Sequence, residues 1–186
     1  VGVPGLIYPG LADLSEEEIE HKLLQPNDER LFVIAEALRR GMTIEHVCEL
    51  TKIDRFFIKK IYNVVQLEKE LRSGGRAALT PDLLRKAKEM GMADAYIAQT
   101  VGRMTTDEVR ALRKEYAIEP VYKMVDTCAA EFEAVTPYYY SCYDTVDEVR
   151  PTDNRKVVVL GGGPIRIGQG IEFDYCSVHS VWALKE

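Results

Sequence analysis

Apolar residues recur every three or four positions through the first two thirds of the chain, and this period predicts helices. Ser15 followed by three acids reads as an N-cap and first helical turn, with Ile19, Leu23 and Leu24 as the apolar stripe and Pro26 as the stop. A second helix is expected from about Asp28 to Arg40, with Leu31, Ile34, Ala35 and Leu38 on its buried face and Gly41 as its αL cap. A third begins at Thr43, whose capping box is imperfect because His46 stands where Glu or Gln belongs, and buries Val47 and Leu50. The fourth, from about Asp54 to Arg72, repeats Phe57, Ile61, Val64, Val65 and Leu71 at helical spacing until Ser73-Gly74-Gly75 ends it. Thr80-Pro81-Asp82 opens a second helical lobe with a proline at the first helical position, and shorter helices follow at about Ala93 to Thr100 and Thr106 to Tyr116.

After Pro120 the helical period weakens. The stretch that follows is rich in tyrosine and β-branched residues and reads as extended or irregular. KVVVL, Lys156 to Leu160, is an almost purely apolar run of the kind a buried parallel strand carries, and a glycine loop and a helix follow it. The expected architecture is mainly α: a linker at 1–14, helical lobes at 15–75 and 76–119, an extended connector at 120–153, and the start of a further β-α domain at 154–186. A lone strand and helix cannot satisfy a parallel sheet, so residues 156–186 are expected to be disordered, docked on the helices or paired with another copy.

Composition narrows the function classes. The chain has 186 residues, 46% of them hydrophobic and 29% charged, which suits a globular protein. A net charge of -6 argues against generic binding to nucleic acid or acidic membranes. Cys48, Cys128, Cys142 and Cys176 form no CxxC pair and have no histidine at ligand spacing, so neither a metal site nor a disulfide framework is expected, and the compartment reads as the cytosol. No run approaches the length of a membrane helix. Val1 opens the chain and Glu186 falls within a helical pattern, so a piece of something larger is expected.

The candidate chemistry lies in the loop GGGPIRIGQG, Gly161 to Gly170, between the apolar strand and the helix. Glycines there permit close backbone approach, and the helix start offers free N–H groups to an anion. The alternative is a strand-to-helix turn with glycines for packing alone. The loop matches neither a dinucleotide fingerprint, because Arg166 occupies the third glycine position, nor a phosphate loop ending in Gly-Lys-Ser/Thr. Glu172 and Asp174, just past it, read ordinarily as helix-start acids. Two stretches, MTIEHVCELTKIDRFFIKKI and ADAYIAQTVGRMTTDEVRALRKEY, resemble helix-turn-helix units. The second, however, mixes Asp107, Glu108 and Glu115 with its basic residues, and a solvated face explains it better than a DNA surface. A helix-turn-helix DNA-binding or adaptor protein remains the rival reading. Tyr138, Tyr139, Tyr140 and Tyr143 read as packing for the connector, since Asp144, Asp147 and Glu148 beside them would repel phosphates.

VYKMVDTCAAEF at 121–132, YYYSCY at 138–143 and KVVVLGGGPIRIGQGIEFDYCSVHSVWALKE at 156–186 resemble the large subunit of carbamoyl phosphate synthetase, and the helical stretch is similar over nearly the whole chain. The resemblance implies a two-lobed helical oligomerisation domain joining two ATP-grasp halves, followed by the first β-α unit of the Rossmann-like pre-ATP-grasp domain of the second half. It implies an enzyme that makes carbamoyl phosphate from bicarbonate, glutamine-derived ammonia and two ATP, with ATP and Mg bound elsewhere in the parent. Its partners are a glutaminase small subunit or domain and further copies of itself, with no nucleic acid and no membrane. By the same resemblance Gly170 and Glu172 line a carbamate passage, Arg166 lends it positive potential, and Gly161, Gly163 and Gly168 shape the loop. No catalytic or metal-binding residue is implied within this stretch, so the piece alone is expected to be inactive.

Overall fold

The computed structural model describes residues 2–135, 138–161 and 172–186, with residues 172–174 described by their backbone alone. The chain divides into two compact units, Val1–Val149 and Arg150–Glu186. The first unit is helical, with α1 (Glu16–Leu24), α2 (Arg30–Arg39), α3 (Ile44–Thr51), α4 (Arg55–Gly74), α5 (Pro81–Glu89), α6 (Asp94–Val101) and α7 (Thr106–Glu115).

Local chemistry sets the helix ends. Ser15 and Glu18 form a full capping box on α1, and Thr105 and Glu108 form a second on α7. At α3 the Thr43 hydroxyl accepts from the His46 N–H, while the His46 ring turns away to the Glu20 carboxylate at 3.2 Å. Two hydrophobic cores result. One gathers Ile19, Leu23, Val33, Val47, Ile58 and Val65, and the other Leu67, Leu71, Leu84, Ile97, Val109 and Ile118. The 20-residue α4 serves both, passing from the first core to the second between Val65 and Leu67.

Three apolar residues depart from the sequence expectation. Leu24, Leu31 and Phe57 are exposed rather than buried. For Leu31 the reason is the position of α2, which packs against α1, α3 and α4 and is buried at every residue from Phe32 to Leu38. A one-faced stripe does not apply to a central helix. Leu31 lies at its open end.

The helices are built from a repeated unit. A shift of 50 residues carries α2, the turn and α3 onto α5, the turn and α6. Gly41 and Gly91 occupy the same turn position with φ of 98° and 82°, a region that costs a side chain energy. Met42 N–H donates to Ala37 C=O and Met92 N–H to Ala87 C=O, each at 3.0 Å. Helices α3 and α6 have eight residues each, and the fully buried Val47 and Ile97 correspond. One extra residue between α6 and α7 makes the shift 51 thereafter, which pairs N-caps Asp54 and Thr105 and the buried Ile58 and Val109.

The connector forms an antiparallel ribbon of β1 (Val121–Met124) and β2 (Tyr139–Cys142), registered Val121 opposite Cys142 and Met124 opposite Tyr139. Glu148 serves the other edge of β1: its carboxylate accepts from the Met124 N–H at 2.7 Å, and its backbone N–H donates to Tyr122 C=O at 2.9 Å. Of the four neighbouring tyrosines only Tyr143 packs on the helical core, whereas Tyr138, Tyr139 and Tyr140 are exposed.

In the second unit α8 (Glu172–Lys185) is helical as expected, but Lys156 to Leu160 forms no strand, and Val158 and Leu160 are exposed. The buried-strand reading is corrected here, for a reason the sequence itself contains. A parallel strand needs a neighbour for its ladder, and no other strand lies among the described residues of this unit.

Candidate functional site

The most buried polar arrangement sits where the two cores meet. Glu68, on the buried face of α4, takes Arg39 of α2 in a fork, with Arg39 Nε 2.8 Å from Oε2 and Nη2 3.2 Å from Oε1. The Tyr96 hydroxyl of α6 donates to the same carboxylate. Arg39 also donates to Glu36 and to the Leu6 carbonyl of the N-terminal segment. Burial pushes the Tyr96 phenol well above its ordinary range, and the bond to Glu68 adds to the rise. Burial disfavours the charge on Arg39, but its bonds to Glu68 and Glu36 outweigh that and leave its pKa raised. The Glu68–Arg39 pair thereby ties the first segment and both cores together. The neighbouring Arg40 holds the carbonyls of Leu14, Leu11 and Ala12 while bonded to Glu36.

A second ionic group lies in the later repeat. Asp94, at the start of α6, accepts from Lys88 at 2.8 Å and from Arg113 at 3.3 Å, and all three are nearly buried. The Tyr143 ring lies over both cations, so the connector is anchored to the helices at this point. Burial raises the Tyr143 phenol pKa despite the nearby Arg113.

A cavity of about 710 Å³ opens between the α2–α3 turn and α4. Its floor includes Leu38, Ile44 and Tyr62, and its rim carries Lys59, Lys69 and Arg72. Among the described residues no three His, Cys, Asp or Glu side chains are grouped to hold a metal ion. The four cysteines are free thiols. No helix among the described residues is long and apolar enough to cross a membrane.

The loop predicted from sequence falls mostly outside the described residues: Gly163, Arg166, Gly168 and Gly170 lie there, as does the side chain of Glu172. Gly161 is described and exposed, and a β-carbon added there would lie 3.4 Å from the Ser177 hydroxyl. The helix-turn-helix reading fares poorly on geometry. Two of the three basic residues of α7 are paired, Arg110 with Asp107 and Arg113 with Asp94, and Glu108 takes Arg76, which leaves Lys114 and little else on that helix to meet phosphates. The Glu68 node was missed in the sequence. Its signal is a carboxylate at helical spacing between Val65 and Leu71, within the apolar stripe of α4.

A duplicated helical body with an ionic lock, an extended ribbon and the start of a second unit defines the class. Residues 1–117 match the oligomerisation domain of the carbamoyl-phosphate synthetase large chain, and residues 153–186 match the carbamoyl phosphate synthase preATP-grasp domain. The carbamoyl phosphate synthase large chain of Methanothrix thermoacetophila is 54% identical over 172 residues, covering 92% of this chain and 16% of the relative. That of Thermoanaerobacter sp. strain X514 is 52% identical over 182 residues, covering 98% and 17%. The protein therefore belongs to the carbamoyl phosphate synthase large chain family, and it spans about a sixth of the length of these relatives. The DNA-binding alternative finds no support in these matches.

Proposed function

We propose that this chain is the joining and self-association module of a carbamoyl phosphate synthase that works in the cytoplasm. The parent enzyme makes carbamoyl phosphate from bicarbonate, glutamine-derived ammonia and two ATP, and a glutaminase subunit or domain supplies the ammonia. Residues 15–75 and 76–119 form the two lobes, 120–153 the connector, and 154–186 the start of the second half. The observation that carries this reading is the Glu68 node, together with the match of the helical region to an oligomerisation domain. A satisfied buried network rigidifies the body that bears it, and a rigid body is what two larger halves need to stay in register. ATP and Mg belong to the parent's other domains.

Sedimentation velocity over a concentration series tests the association. A concentration-dependent shift to a larger species is expected, and a monomer at every concentration overturns it. The chain alone is inactive, so ADP release on mixing it with bicarbonate, ammonia and ATP would contradict the proposal. By resemblance, Gly170, Glu172 and Arg166 line the carbamate passage, with Gly161, Gly163 and Gly168 shaping its loop. Glu172→Ala in a full-length large chain is then expected to leave ATP hydrolysis largely intact while carbamoyl phosphate formation falls. Equal loss of both activities would remove the passage role.

A further inference from the structure

The two repeats treat their grooves differently. In the second, Lys88, Asp94 and Arg113 make an ion-paired floor, and the Tyr143 ring of the connector covers it, with Lys88 Nζ 5.2 Å and Arg113 Cζ 5.9 Å from the ring centroid. The repeat shift carries those three positions back to Leu38, Ile44 and Tyr62. These line the 710 Å³ groove of the first repeat. The same place is therefore apolar in one copy and charged in the other, and among the described residues the connector covers the charged one alone.

The rim of the open groove is cationic. Lys59, Lys69 and Arg72 project from α4, and among the described residues none of them is in an ion pair. The two carboxylates of the groove are already engaged, Glu45 with Arg55 and Glu68 with Arg39. An occupant that suits this surface has an apolar ring for the floor and carboxylates for the rim.

The connector presents such a segment. Phe132 is 74% exposed, and Glu131 and Glu133, which flank it, are exposed as well. The loop before it is fixed: both Asp126 oxygens accept backbone N–H groups, of Cys128 and of Ala130, at 2.8 Å each. We infer that the groove between the α2–α3 turn and α4 receives Glu131-Phe132-Glu133 of a second copy of the chain, the ring on Leu38, Ile44 and Tyr62 and the carboxylates against Lys59, Lys69 and Arg72. The inference rests on the self-association reading and gives it a surface. Each copy carries both groove and segment, so the proposed assembly is the reciprocal two-fold dimer, in which two grooves and two segments meet about one axis.

Charge reversal in sedimentation velocity tests it. Lys69→Glu with Arg72→Glu should raise the dimer dissociation constant at least about tenfold, as like charges then face one another. Glu131→Lys with Glu133→Lys should do the same. A mixture of the two variants should recover the association of the unaltered chain, since each groove then meets a segment of opposite charge. All four positions are exposed, so the variants should fold, and circular dichroism checks this. Phe132→Ala should also weaken the dimer. Unaltered association in both charge variants, or failure of the mixture to recover it, overturns the groove assignment while self-association stands. A wild-type chain that stays monomeric overturns both.

Discussion

Arg39 on α2 and Glu68 on α4 meet at the line between the two cores, the guanidinium Nε 2.8 Å from the carboxylate. The Glu68 side chain is 2% exposed and the Arg39 side chain 17%. Removing one partner of such a pair leaves a buried charge with less compensation, a loss of about 3 kcal/mol. Glu68→Ala should therefore lower the unfolding free energy in urea by about that much, and Glu68→Gln, which keeps a hydrogen-bonding carbonyl, by less. Equal and small losses in both variants would mean that the node contributes nothing beyond packing.

Much of the helical body is legible in the sequence because its local signals agree. Ser15, Thr43, Asp54 and Thr80 each cap the helix they precede, and Gly41 and Gly91 take the positive φ their positions imply. What escapes the pattern is tertiary. Leu31 and Phe57 have helical spacing but remain exposed, and periodicity cannot tell a face turned to a core from one left open. Glu68 is the converse case, a charge inside an apolar stripe whose partners come from residues 29 and 28 positions away. The apolar run at Lys156 to Leu160 carries strand propensity without a pairing partner among the described residues, and propensity alone does not make a strand. The loop residues from Gly163 to Gly170 rest on resemblance alone.

Acid should loosen the N-terminal segment through Glu36. Burial raises its pKa, but hydrogen bonds from Arg40 and Arg39 outweigh burial and hold it below the usual 4.5. A carboxyl depressed in the folded state contributes stability that is present above its unfolded pKa and is lost as pH falls through the folded value. The loss should thus begin near pH 4.5 and continue below it. Glu36→Gln should be less stable than the parent at neutral pH, and the gap should narrow as the pH drops through this window. Chemical denaturation at a series of pH values measures it, and a gap independent of pH would refute the linkage.

Alkali acts on Tyr96. Its folded pKa is raised above the usual 10.0 by burial first and then by the bond to Glu68. A group raised in this way contributes stability that is complete below its unfolded pKa and declines as pH climbs through the folded one. Above pH 10.0 the unaltered chain should lose stability more steeply than Tyr96→Phe, by up to about 1.4 kcal/mol per pH unit. At neutral pH the substitution should cost about 1 kcal/mol, because Glu68 keeps its fork to Arg39. Parallel alkaline profiles would show that the phenol is not coupled to folding.

The repeat makes its own prediction at the two turn glycines. Gly41 and Gly91 both lie in the left-handed region, and a β-carbon at either would meet nothing within 4 Å. The penalty for alanine there is thus one of backbone conformation rather than of collision, about 1 kcal/mol at each position. Gly5 provides the contrast, since its backbone is unstrained but a β-carbon would overlap the Tyr96 ring; overpacking of that kind costs about 1–3 kcal/mol. Gly41→Ala and Gly91→Ala should destabilise equally and add in the double variant, because they serve separate cores. In Gly5→Ala, replacing Tyr96 with a smaller residue should recover part of the loss, whereas neither turn variant should respond to it. A strongly unequal pair of turn variants would show that the matched hydrogen bonds at Met42 and Met92 hide different local constraints, and the structural equivalence of the two turns would not extend to their energetics.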